Sequence, residues 1–440
     1  MLKLAVLLVM VSFATIPLWS QDNETGAGTN AGNDLQMATP PPVSGESYPS
    51  TYAGAERSNY LRAGLSFNTQ YTDNLLGGTN HVSDISYNIW PSISLDKRTG
   101  RMQLVFTYSP GFTVYQKTGS LDQANQNLGI NFQYRLSPHV TLSLRDSLVK
   151  TSNVFNQPNP LEANPVPGSA QAPTVAVVAP TADQLNNNGG ATLSYQLSPS
   201  SMVGVGGTFS NLHYINPVPG LFDSNSFGGS AFYNHRLSRK QYVGANYQYQ
   251  TYRGYQATGQ YNTQTHTIYL FYTVYLKPSL TISVSGGPQY AEIPQPPLPS
   301  LHSWNPAGSA SIGWHARHTN IAGSYSRIVS GGGGLIGAFH STSANASVSQ
   351  QLAPRWSAGA TASYSIYKDI TPFSFLTTPG GHTLSGSATL QHSFNTHFNA
   401  SVGYTRLHQS YGSIPLISNA PDTNNEWISL SYQVTRALGR

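Results

Sequence analysis

The sequence predicts an all-β protein, a transmembrane antiparallel up-and-down β-barrel of about 18 strands, with 16 strands as the alternative. Three observations support this prediction: an apolar export segment at the N-terminus, long runs of alternating apolar and polar residues, and short turns that recur about every 40 residues. Charged residues are only 9% of the 440-residue chain, against about 25% in ordinary soluble domains. Ser, Thr, Asn, Gln and Gly are abundant instead of charged residues. This composition suits a β-barrel whose outer face contacts lipid and whose inner face contacts water.

The N-terminal segment, residues 1–20, predicts a secretory signal peptide. Lys3 gives a basic start, residues 4–18 are largely apolar, and Ser20 is a small residue suited to a cleavage site. The apolar run is too short to cross a bilayer as a helix, which needs about 20 residues. Residues 21–57 are rich in Asn, Gly, Pro and Ser without periodicity and predict a disordered periplasmic tail. The barrel is therefore expected over 58–440.

The strand prediction depends on alternation. In 128–136 every even-numbered residue is apolar and every odd-numbered residue is polar or Gly, and similar runs occur over 266–276, 356–366 and 398–404. A period of two places alternate side chains on opposite faces of a sheet. Runs of this length match tilted membrane-spanning strands of about 9–11 residues, whereas soluble strands average about 5–6.

The connections predict the topology. Short turns occur at 96–100, 136–138, 197–199, 237–239, 276–278, 315–318, 352–354 and 394–396. Longer polar or Gly- and Pro-rich segments lie between them, at 73–81, 117–124, 154–186, 215–224, 255–262, 292–302, 331–337, 369–379 and 411–424. Eight short turns and nine long loops connect 18 strands, with short periplasmic turns and long external loops as in bacterial outer-membrane barrels.

Soluble all-β folds are the alternatives. A secreted sandwich or β-propeller would also explain a low charge content, and a propeller blade has a repeat near this length. A propeller, however, needs a turn signal every 8–12 residues, and the runs 128–136 and 262–276 contain none. The long uninterrupted runs therefore favour the barrel.

Several local patterns resemble a known family. They are the Tyr71-Thr72-Asp73-Asn74 step after the first strand, the strand 91–95, the Leu-Ser-Pro turns and the closing segment 431–440. Over about 58–440 the chain resembles outer-membrane β-barrel porins of Gram-negative bacteria, some of which are linked to exopolysaccharide gene clusters. The resemblance implies an outer-membrane location, with outer-membrane lipids, lipopolysaccharide and the barrel-assembly machinery as partners. One departure is the C-terminus, Gly439-Arg440, where many such barrels end in an aromatic residue.

Positive charge is concentrated at one end of the predicted barrel. Of 22 Lys and Arg residues, 12 lie beside the short turns or the C-terminus. One hypothesis is a positive collar near the periplasmic mouth that concentrates anionic or polar solutes. The alternative is that barrel ends need solvated charges, whose long side chains reach water. The net charge of +5 does not indicate nucleic acid, because the charge lies at membrane turns.

Alternation also predicts which side chains line the interior. Most are uncharged hydrogen-bonding groups, some aromatic, which suit polar solutes or saccharides. The pore-lining candidates are Arg62, Arg101, Gln103, Asn131, Gln133, Arg135, Arg145, Gln196, Arg236, Asn246, Gln248, Tyr269 and Tyr275. Asp146 conflicts with the pattern, because strict alternation points it at lipid, and a bulge near Arg145 or a position at the rim is expected to resolve this.

The loop 154–186 is the longest and contains six prolines. As the third external loop it is expected either to fold inward as a constriction, as in general porins, or to remain a surface loop. The segment Gly331 to Gly334 predicts a flexible loop tip.

The chain is not expected to be an enzyme. It contains no Gly-x-Ser-x-Gly, P-loop or His-Glu-x-x-His motif. His315 and His318 fall on opposite faces of a strand, and His392 and His397 flank a turn without an acidic partner nearby. We therefore expect no cofactor and no metal site. The expected function is passive or weakly selective diffusion of small polar solutes or saccharides. The alternatives are an exopolysaccharide export channel or a non-conducting structural or adhesive barrel.

Overall fold

A computed structural model describes residues 59–76, 81–151, 182–216, 221–256, 259–295, 298–332, 335–370, 380–411 and 422–438. The predicted signal peptide 1–20 and tail 21–57 lie outside the described residues, as does most of loop 154–186. The strands, in chain order, are β1 Asn59–Thr72, β2 Asp84–Arg98, β3 Met102–Tyr108, β4 Gly111–Tyr115, β5 Gln123–Arg135, β6 Val140–Thr151, β7 Gln184–Ser198, β8 Ser201–Tyr214, β9 Asp223–Ser238, β10 Gln241–Gln256, β11 Gly259–Lys277, β12 Leu280–Gln295, β13 Leu298–His315, β14 Thr319–Gly332, β15 Leu335–Ala353, β16 Trp356–Asp369, β17 Gly381–Ser393, β18 Phe398–Tyr411 and β19 Thr423–Leu438.

These 19 strands form 18 wall segments, because β3 and β4 are consecutive halves of one segment. Both halves pair with β2 on one side and β5 on the other. The interruption falls at Pro110, which has no backbone N–H to donate to a neighbouring strand. The predicted count of 18 is confirmed.

The sheet closes on itself. β19 pairs antiparallel with β1 from Asn59↔Leu438 to Thr72↔Asn425. All other neighbours in the sheet also pair antiparallel and follow chain order. Closure gives every wall segment a neighbour on both sides, so the sheet has no free edge strand, which is the condition for a sheet to cross hydrocarbon. The up-and-down barrel is therefore confirmed. Among the described residues, no helix is both long and apolar enough to span a membrane.

The two faces of the wall differ as the alternation predicts. On β1 the buried side chains Ser66, Asn68 and Gln70 face inward, whereas Phe67 and Tyr71 face outward and are 38% and 43% exposed. The same outward apolar row continues around the barrel, for example at Ile268, Leu270 and Ile428. In water this exposed apolar surface would be costly, since burial is worth about 25 cal/mol per Å². Lipid removes that cost.

The short turns explain the recurring Leu-Ser-Pro pattern. Ser137 Oγ accepts the backbone N–H of Val140 at 3.1 Å, and Ser198 Oγ accepts that of Ser200 at 3.2 Å. Asn395 Oδ1 does the same for the N–H of Phe398 at 2.8 Å. Such side-chain acceptors replace missing ladder partners and favour tight turns. Each of the eight short connections overlaps a turn that the sequence predicts, within a shift of one to three residues.

Two predicted loops are mostly strand. β10 extends to Gln256 and β11 begins at Gly259, so 255–262 is largely paired; β12 and β13 likewise leave only 296–297 between them. The strand β2 also continues to Arg98, which shortens the turn predicted at 96–100. The sequence predicts that these strands end where the apolar alternation ends. In the structure, the antiparallel backbone hydrogen bonds continue beyond that point, because they form in water as well as in lipid.

The expectation for Asp146 is wrong. The pairing of β5 with β6 runs from Gln126↔Lys150 to Arg135↔Thr141 without a shift, so no bulge turns Asp146 inward. It lies on the outer face opposite Ile130 and Gly189. Six residues from the start of β6 correspond to a climb of about 15 Å for a strand tilted by about 40°, so Asp146 is not at the rim. A side chain at Gly189 would lie 3.1 Å from its carboxylate.

Candidate functional site: the barrel interior

The candidate pore-lining residues lie where the alternation predicts, with one exception. Arg62, for example, shares the inner face of β1 with Ser66, and Arg236 on β9 pairs with the buried Tyr242. Arg101 is the exception, because it belongs to the turn before β3, where its carbonyl accepts the N–H of Arg135 at 2.7 Å. The residues at inner-face strand positions are Arg62, Gln103, Asn131, Gln133, Arg135, Arg145, Gln196, Arg236, Asn246, Gln248, Tyr269 and Tyr275.

The interior is filled unevenly along its axis. In the half of the barrel near the long loops, which is predicted to be extracellular, the inner-facing side chains are nearly all buried, as at Gln70, Thr383 and Tyr411. In the half near the short turns, which is predicted to be periplasmic, Gln133 and Arg135 are inner-facing and exposed. Water therefore contacts the inner wall mainly near the periplasmic end, and the extracellular half is the narrow part.

A chain of polar side chains crosses the inner wall of the narrow half. Asn88 Nδ2 donates to Asn68 Oδ1 at 3.3 Å, and Asn88 Oδ1 accepts from Thr113 Oγ1 at 2.6 Å. Thr113 Oγ1 in turn accepts from Asn125 Nδ2 at 3.1 Å. The chain joins β1, β2, β4 and β5. Buried polar groups that bond to one another fix the wall geometry, because leaving them unpaired would cost about 1–3 kcal/mol each.

The closure between β1 and β19 is reinforced in the same way. Gln70 Nε2 donates to Asn425 Oδ1 at 3.0 Å, and Thr72 Oγ1 donates to the same oxygen at 2.6 Å. At the external end Asp73 accepts both the backbone N–H and the Nδ2 of Asn424, at 2.7 and 2.6 Å. These bonds join residues about 350 positions apart.

Carboxylates organise the external end near β2 and β4. Asp84 accepts the backbone N–H groups of Lys117 and Thr118, at 3.1 and 2.8 Å. Asp122 accepts the N–H of Tyr115 at 2.8 Å. These contacts hold the short connection between β4 and β5 against the wall. No sequence pattern indicated a role for these aspartates, because each acts across a loop rather than within a strand.

Inner-facing aromatic rings lie over glycines of the neighbouring strand. A Cβ at Gly111 would collide with the ring of Trp90, and a Cβ at Gly403 would collide with that of Trp427. Gly403 and Trp427 are direct cross-strand partners. The glycines let the rings lie flat on the wall instead of projecting into the interior. Three further pairs share this arrangement: Gly204 with Phe232, Gly244 with Phe271, and Gly381 with Tyr411.

The end of the β14–β15 hairpin folds into the barrel. β13 and β14 pair only between His315↔Asn320 and Gly308↔Arg327, although both strands continue further. Beyond Arg327, the backbone of Val329 instead bonds to Gln289 on β12: its N–H donates to Oε1 at 2.6 Å, and its carbonyl accepts from Nε2 at 3.1 Å. The upper end of β14 thus passes along the interior side of β13 and reaches the inner face of β12.

Apolar contacts support this inward fold. Val329 is fully buried and packs with Ala291 and Ile293 of β12, and Leu301 and Ile370 pack against the same cluster. Cα atoms of β14 and β15 come within 8 Å of those of β10 and β11. Within the part of the chain that the structure describes, this hairpin is therefore the segment that narrows the barrel interior. Loop 154–186, from which a constriction was expected, lies mostly outside the described residues.

Four arginines at the periplasmic mouth form an arc on one part of the wall, and a further inner-facing arginine, Arg236, lies apart from them on β9. Arg62, Arg98, Arg101 and Arg135 lie on β1, β2, the turn before β3 and β5, which are neighbours in the wall. Arg98 pairs with Asp96 at 3.1 Å, so Arg62, Arg101 and Arg135 supply the net positive charge of the arc. The inward position of Arg98 was not predicted, because the sequence pattern indicated a turn at 96–100.

An aromatic patch faces the interior elsewhere at the periplasmic end. Met202, Tyr242 and Tyr275 are buried together, and Phe232 packs against them. The rings of Tyr242 and Tyr275 meet edge to face, with centroids 5.9 Å apart. The mouth therefore presents cationic side chains on one part of its wall and aromatic side chains on another.

The described part of the chain contains no group of three or more His, Cys, Asp or Glu side chains that could hold a metal ion. His392 lies against Trp356, with ring centroids 4.3 Å apart, and against Phe394. His397 Nδ1 is 2.9 Å from the carbonyl of Gln433. Each of the two histidines that flank this turn thus has its own packing or hydrogen-bonding role.

Comparison with known proteins gives structural matches only. No protein-family model matches the chain, and no curated protein matches it in sequence. The chain is similar to Pseudomonas aeruginosa OpdK with vanillate, with a TM-score of 0.40 and 11% identity over 86% of this chain and 99% of that chain. It is similar to P. aeruginosa OccK2 (OpdF) in complex with glucuronate (0.43, 9%, 85% and 98%) and to Acinetobacter baumannii OccAB4 (0.41, 11%, 86% and 98%). At these values the matches carry no functional argument.

Proposed function

We propose that the protein is an outer-membrane channel for passive, weakly selective diffusion of small polar solutes or saccharides. The main support is the closed wall with an apolar outer face and a hydrogen-bonding inner face. A barrel of this strand number encloses an interior wide enough for water unless loops fill it. The proposal includes insertion into the outer membrane by the barrel-assembly machinery. Gly439 and Arg440, which stand where many such barrels have a terminal aromatic residue, lie outside the described residues.

The proposed path has two parts. In the narrow half, solutes pass the β14–β15 hairpin and exchange water for hydrogen bonds with amide and hydroxyl groups of the wall. In the periplasmic half, the arginine arc raises the local concentration of solutes with anionic groups, and the aromatic patch offers faces on which sugar rings pack. No step requires a covalent change or an energy source. Flow follows the concentration gradient.

Liposome swelling tests this proposal. Purified barrel is reconstituted into liposomes, folding is verified by the mobility shift between heated and unheated samples, and the liposomes are diluted into isosmotic sugars of increasing size. We expect swelling with a pentose that slows progressively from disaccharide to tetrasaccharide. Protein-free liposomes are the control. Folded barrel that gives no swelling even with the pentose would contradict the proposal.

A further inference from the structure

A groove lies on the outer wall where the barrel closes, across β17, β18, β19, β1 and β2. Its volume of about 610 Å³ is within the range of about 300–1,000 Å³ that is typical of small-molecule sites. The row of side chains nearer the long loops contains three direct cross-strand partners, Tyr404, Glu426 and Tyr71. The apolar row beside it, nearer the short turns, contains Leu390, Val402 and Ile428. We call these two rows the closure groove.

The closure groove faces away from the barrel interior. The pairing of β19 with β1 has no register shift, so alternate residues of β19 stay on one face along the whole pairing. The inner-facing Asn425 and Trp427 are 1% and 3% exposed, and Glu426 lies between them on the opposite face. Ile428 shares the face of Glu426 and is 61% exposed, as expected for a side chain that contacts lipid.

Glu426 has no cation from the protein. All Lys, Arg and His residues between 59 and 438 lie within the described part of the chain, and Glu426 forms no ion pair there. Arg406, the next outward-facing residue of β18 beyond Tyr404, pairs with Asp422 instead. The loop 412–421, which leads into β19, contains no Lys, Arg or His. A cation for Glu426 is therefore expected to come from outside the chain.

Two aromatic rings flank the carboxylate. Tyr71 and Tyr404 are 43% and 40% exposed and are the cross-strand neighbours of Glu426 on either side. Strands are about 4.8 Å apart, so the two tyrosines are about 10 Å apart, and a cation midway would lie about 5 Å from each. Cation–π attraction acts within about 6 Å of a ring centroid. The hydroxyl of Tyr404 donates to Asn424 Oδ1 at 2.6 Å, which holds this ring in place.

This chemistry favours an organic cation. Aromatic rings beside a carboxylate recognise alkylammonium groups, whereas Mg²⁺ and Ca²⁺ need about six or more oxygen ligands. The described part of the chain offers no group of acidic side chains or histidines that could hold a metal ion. An alkylammonium group therefore fits the closure groove better than a divalent cation does.

The position in the membrane favours an amphiphile. Tyr71 lies twelve residues beyond Asn59 at the start of β1, and twelve residues in a strand tilted by about 40° climb about 30 Å, slightly more than the apolar band of about 25 Å. Glu426 therefore lies near the level of lipid headgroups. The apolar row with Val402 and Ile428 continues from it towards the centre of the bilayer, where an alkyl chain would pack.

We propose that the closure groove binds a cationic amphiphile of the outer leaflet, with Glu426 as the counterion of its ammonium group. Tyr71 and Tyr404 contact the ammonium group from either side, and the apolar row contacts the first part of the alkyl chain. The proposal rests on the proposed membrane location, but it does not require that the barrel conduct.

Native mass spectrometry of the full-length barrel tests this proposal. The folded protein is held in dodecyl maltoside micelles and titrated with dodecyltrimethylammonium. The detergent is itself a neutral competitor with the same chain length, so retention measures the contribution of the charged head. We expect one retained dodecyltrimethylammonium and a dissociation constant that rises about tenfold or more in Glu426→Gln. Tyr71→Leu should weaken binding about threefold, and Tyr71→Phe should retain it, because the ring is what contacts the cation.

The matched control is Glu292→Gln. Glu292 is also an outward-facing glutamate near the long loops, but its cross-strand partners are His302 and Gln264 instead of two tyrosines. This variant should bind dodecyltrimethylammonium as the wild type does. Equal binding by the wild type and by folded Glu426→Gln would overturn the proposal.

Two competitors identify the source of the cation. Tetramethylammonium at the same concentration has the head without the chain and should not displace the bound amphiphile; full displacement would overturn the assignment to an amphiphile. Full displacement by the same concentration of MgCl₂ would indicate a divalent-cation site and would also overturn it. Swelling measurements on the same samples should be unchanged by Glu426→Gln, so failure of this proposal is distinguishable from failure of the proposed channel.

Discussion

The side-chain amide of Gln289 on β12 makes two hydrogen bonds to the backbone of Val329 on β14, although β13 lies between these strands in the wall. An amide that donates to a carbonyl and accepts from an N–H of one residue replaces the pairing that a neighbouring strand would give. This contact fixes the inward position of the hairpin end. It therefore links a single side chain to the width of the interior.

Removing this amide should release the hairpin. Gln289→Leu eliminates two buried hydrogen bonds of about 1 kcal/mol each, which corresponds to roughly a 30-fold increase in the displaced population. We expect larger or noisier single-channel currents in planar bilayers. The matched control is Gln133→Leu, an exposed inner-face amide near the periplasmic end. Currents of unchanged amplitude and noise in Gln289→Leu would show that the hairpin does not limit flow.

The arginine arc should set ion preference. The triple variant Arg62→Gln, Arg101→Gln, Arg135→Gln removes three positive charges from one part of the mouth, and we expect the anion preference in reversal-potential measurements to fall to near zero. The preference of the wild type should itself weaken with salt, because screening shortens the reach of these charges.

The outer-face variants Arg253→Gln and Arg436→Gln provide the control for the arc. Arg253 lies over the ring of Phe227, and Arg436 pairs with Leu61, so both stand on the lipid side. These changes should leave selectivity unaltered. An equal effect of the inner and outer changes would show that only total charge matters, and the arc would have no special role.

The glycines under aromatic rings should be intolerant of side chains. Gly403→Ala places a methyl group against Trp427, and overpacking of this kind costs about 1–3 kcal/mol. We expect a lower free energy of unfolding in urea titrations of the barrel in lipid vesicles. Gly313→Ala is the control, because no atom lies within 4 Å of the added carbon. Equal stability of the two variants would contradict the packing role.

Asp146 should be a stability cost. Replacement by Leu puts an apolar group on the lipid face, and we expect the free energy of unfolding to rise by about 1–2 kcal/mol, less than the cost of a cationic residue at this depth. The same urea titration measures the change. Asp122→Leu serves as a contrasting variant and should destabilise, because it removes the acceptor for the Tyr115 N–H. A loss of stability in Asp146→Leu would show that this carboxylate has a partner in the membrane.

Local chemistry made much of the fold predictable. The turns could be located because Ser137, Ser198 and Asn395 bond to the backbone within two or three residues, so their signal is short-range. The faces could be assigned because alternation is strict over most strands. Asp146 shows the limit of this reasoning, since the pattern placed it correctly and the expectation of a bulge did not hold.

The interior was less predictable because its contacts are long-range. Gln289 and Val329 are 40 residues apart, and neither carries a local pattern that indicates the other. The glycines Gly331 to Gly334 predicted a flexible loop tip, but they gave no indication that the hairpin folds inward. The inward position of Arg98 could not be predicted for a different reason. Backbone hydrogen bonding extends β2 to Arg98, beyond the point where the apolar alternation of this strand ends.

Single-channel recording of the purified barrel in planar lipid bilayers tests the central proposal most directly. If solutes pass through the interior, insertion should produce discrete, steady and ohmic current steps with a modest anion preference. Samples verified as folded that insert into the bilayer and remain electrically silent at all voltages would contradict it.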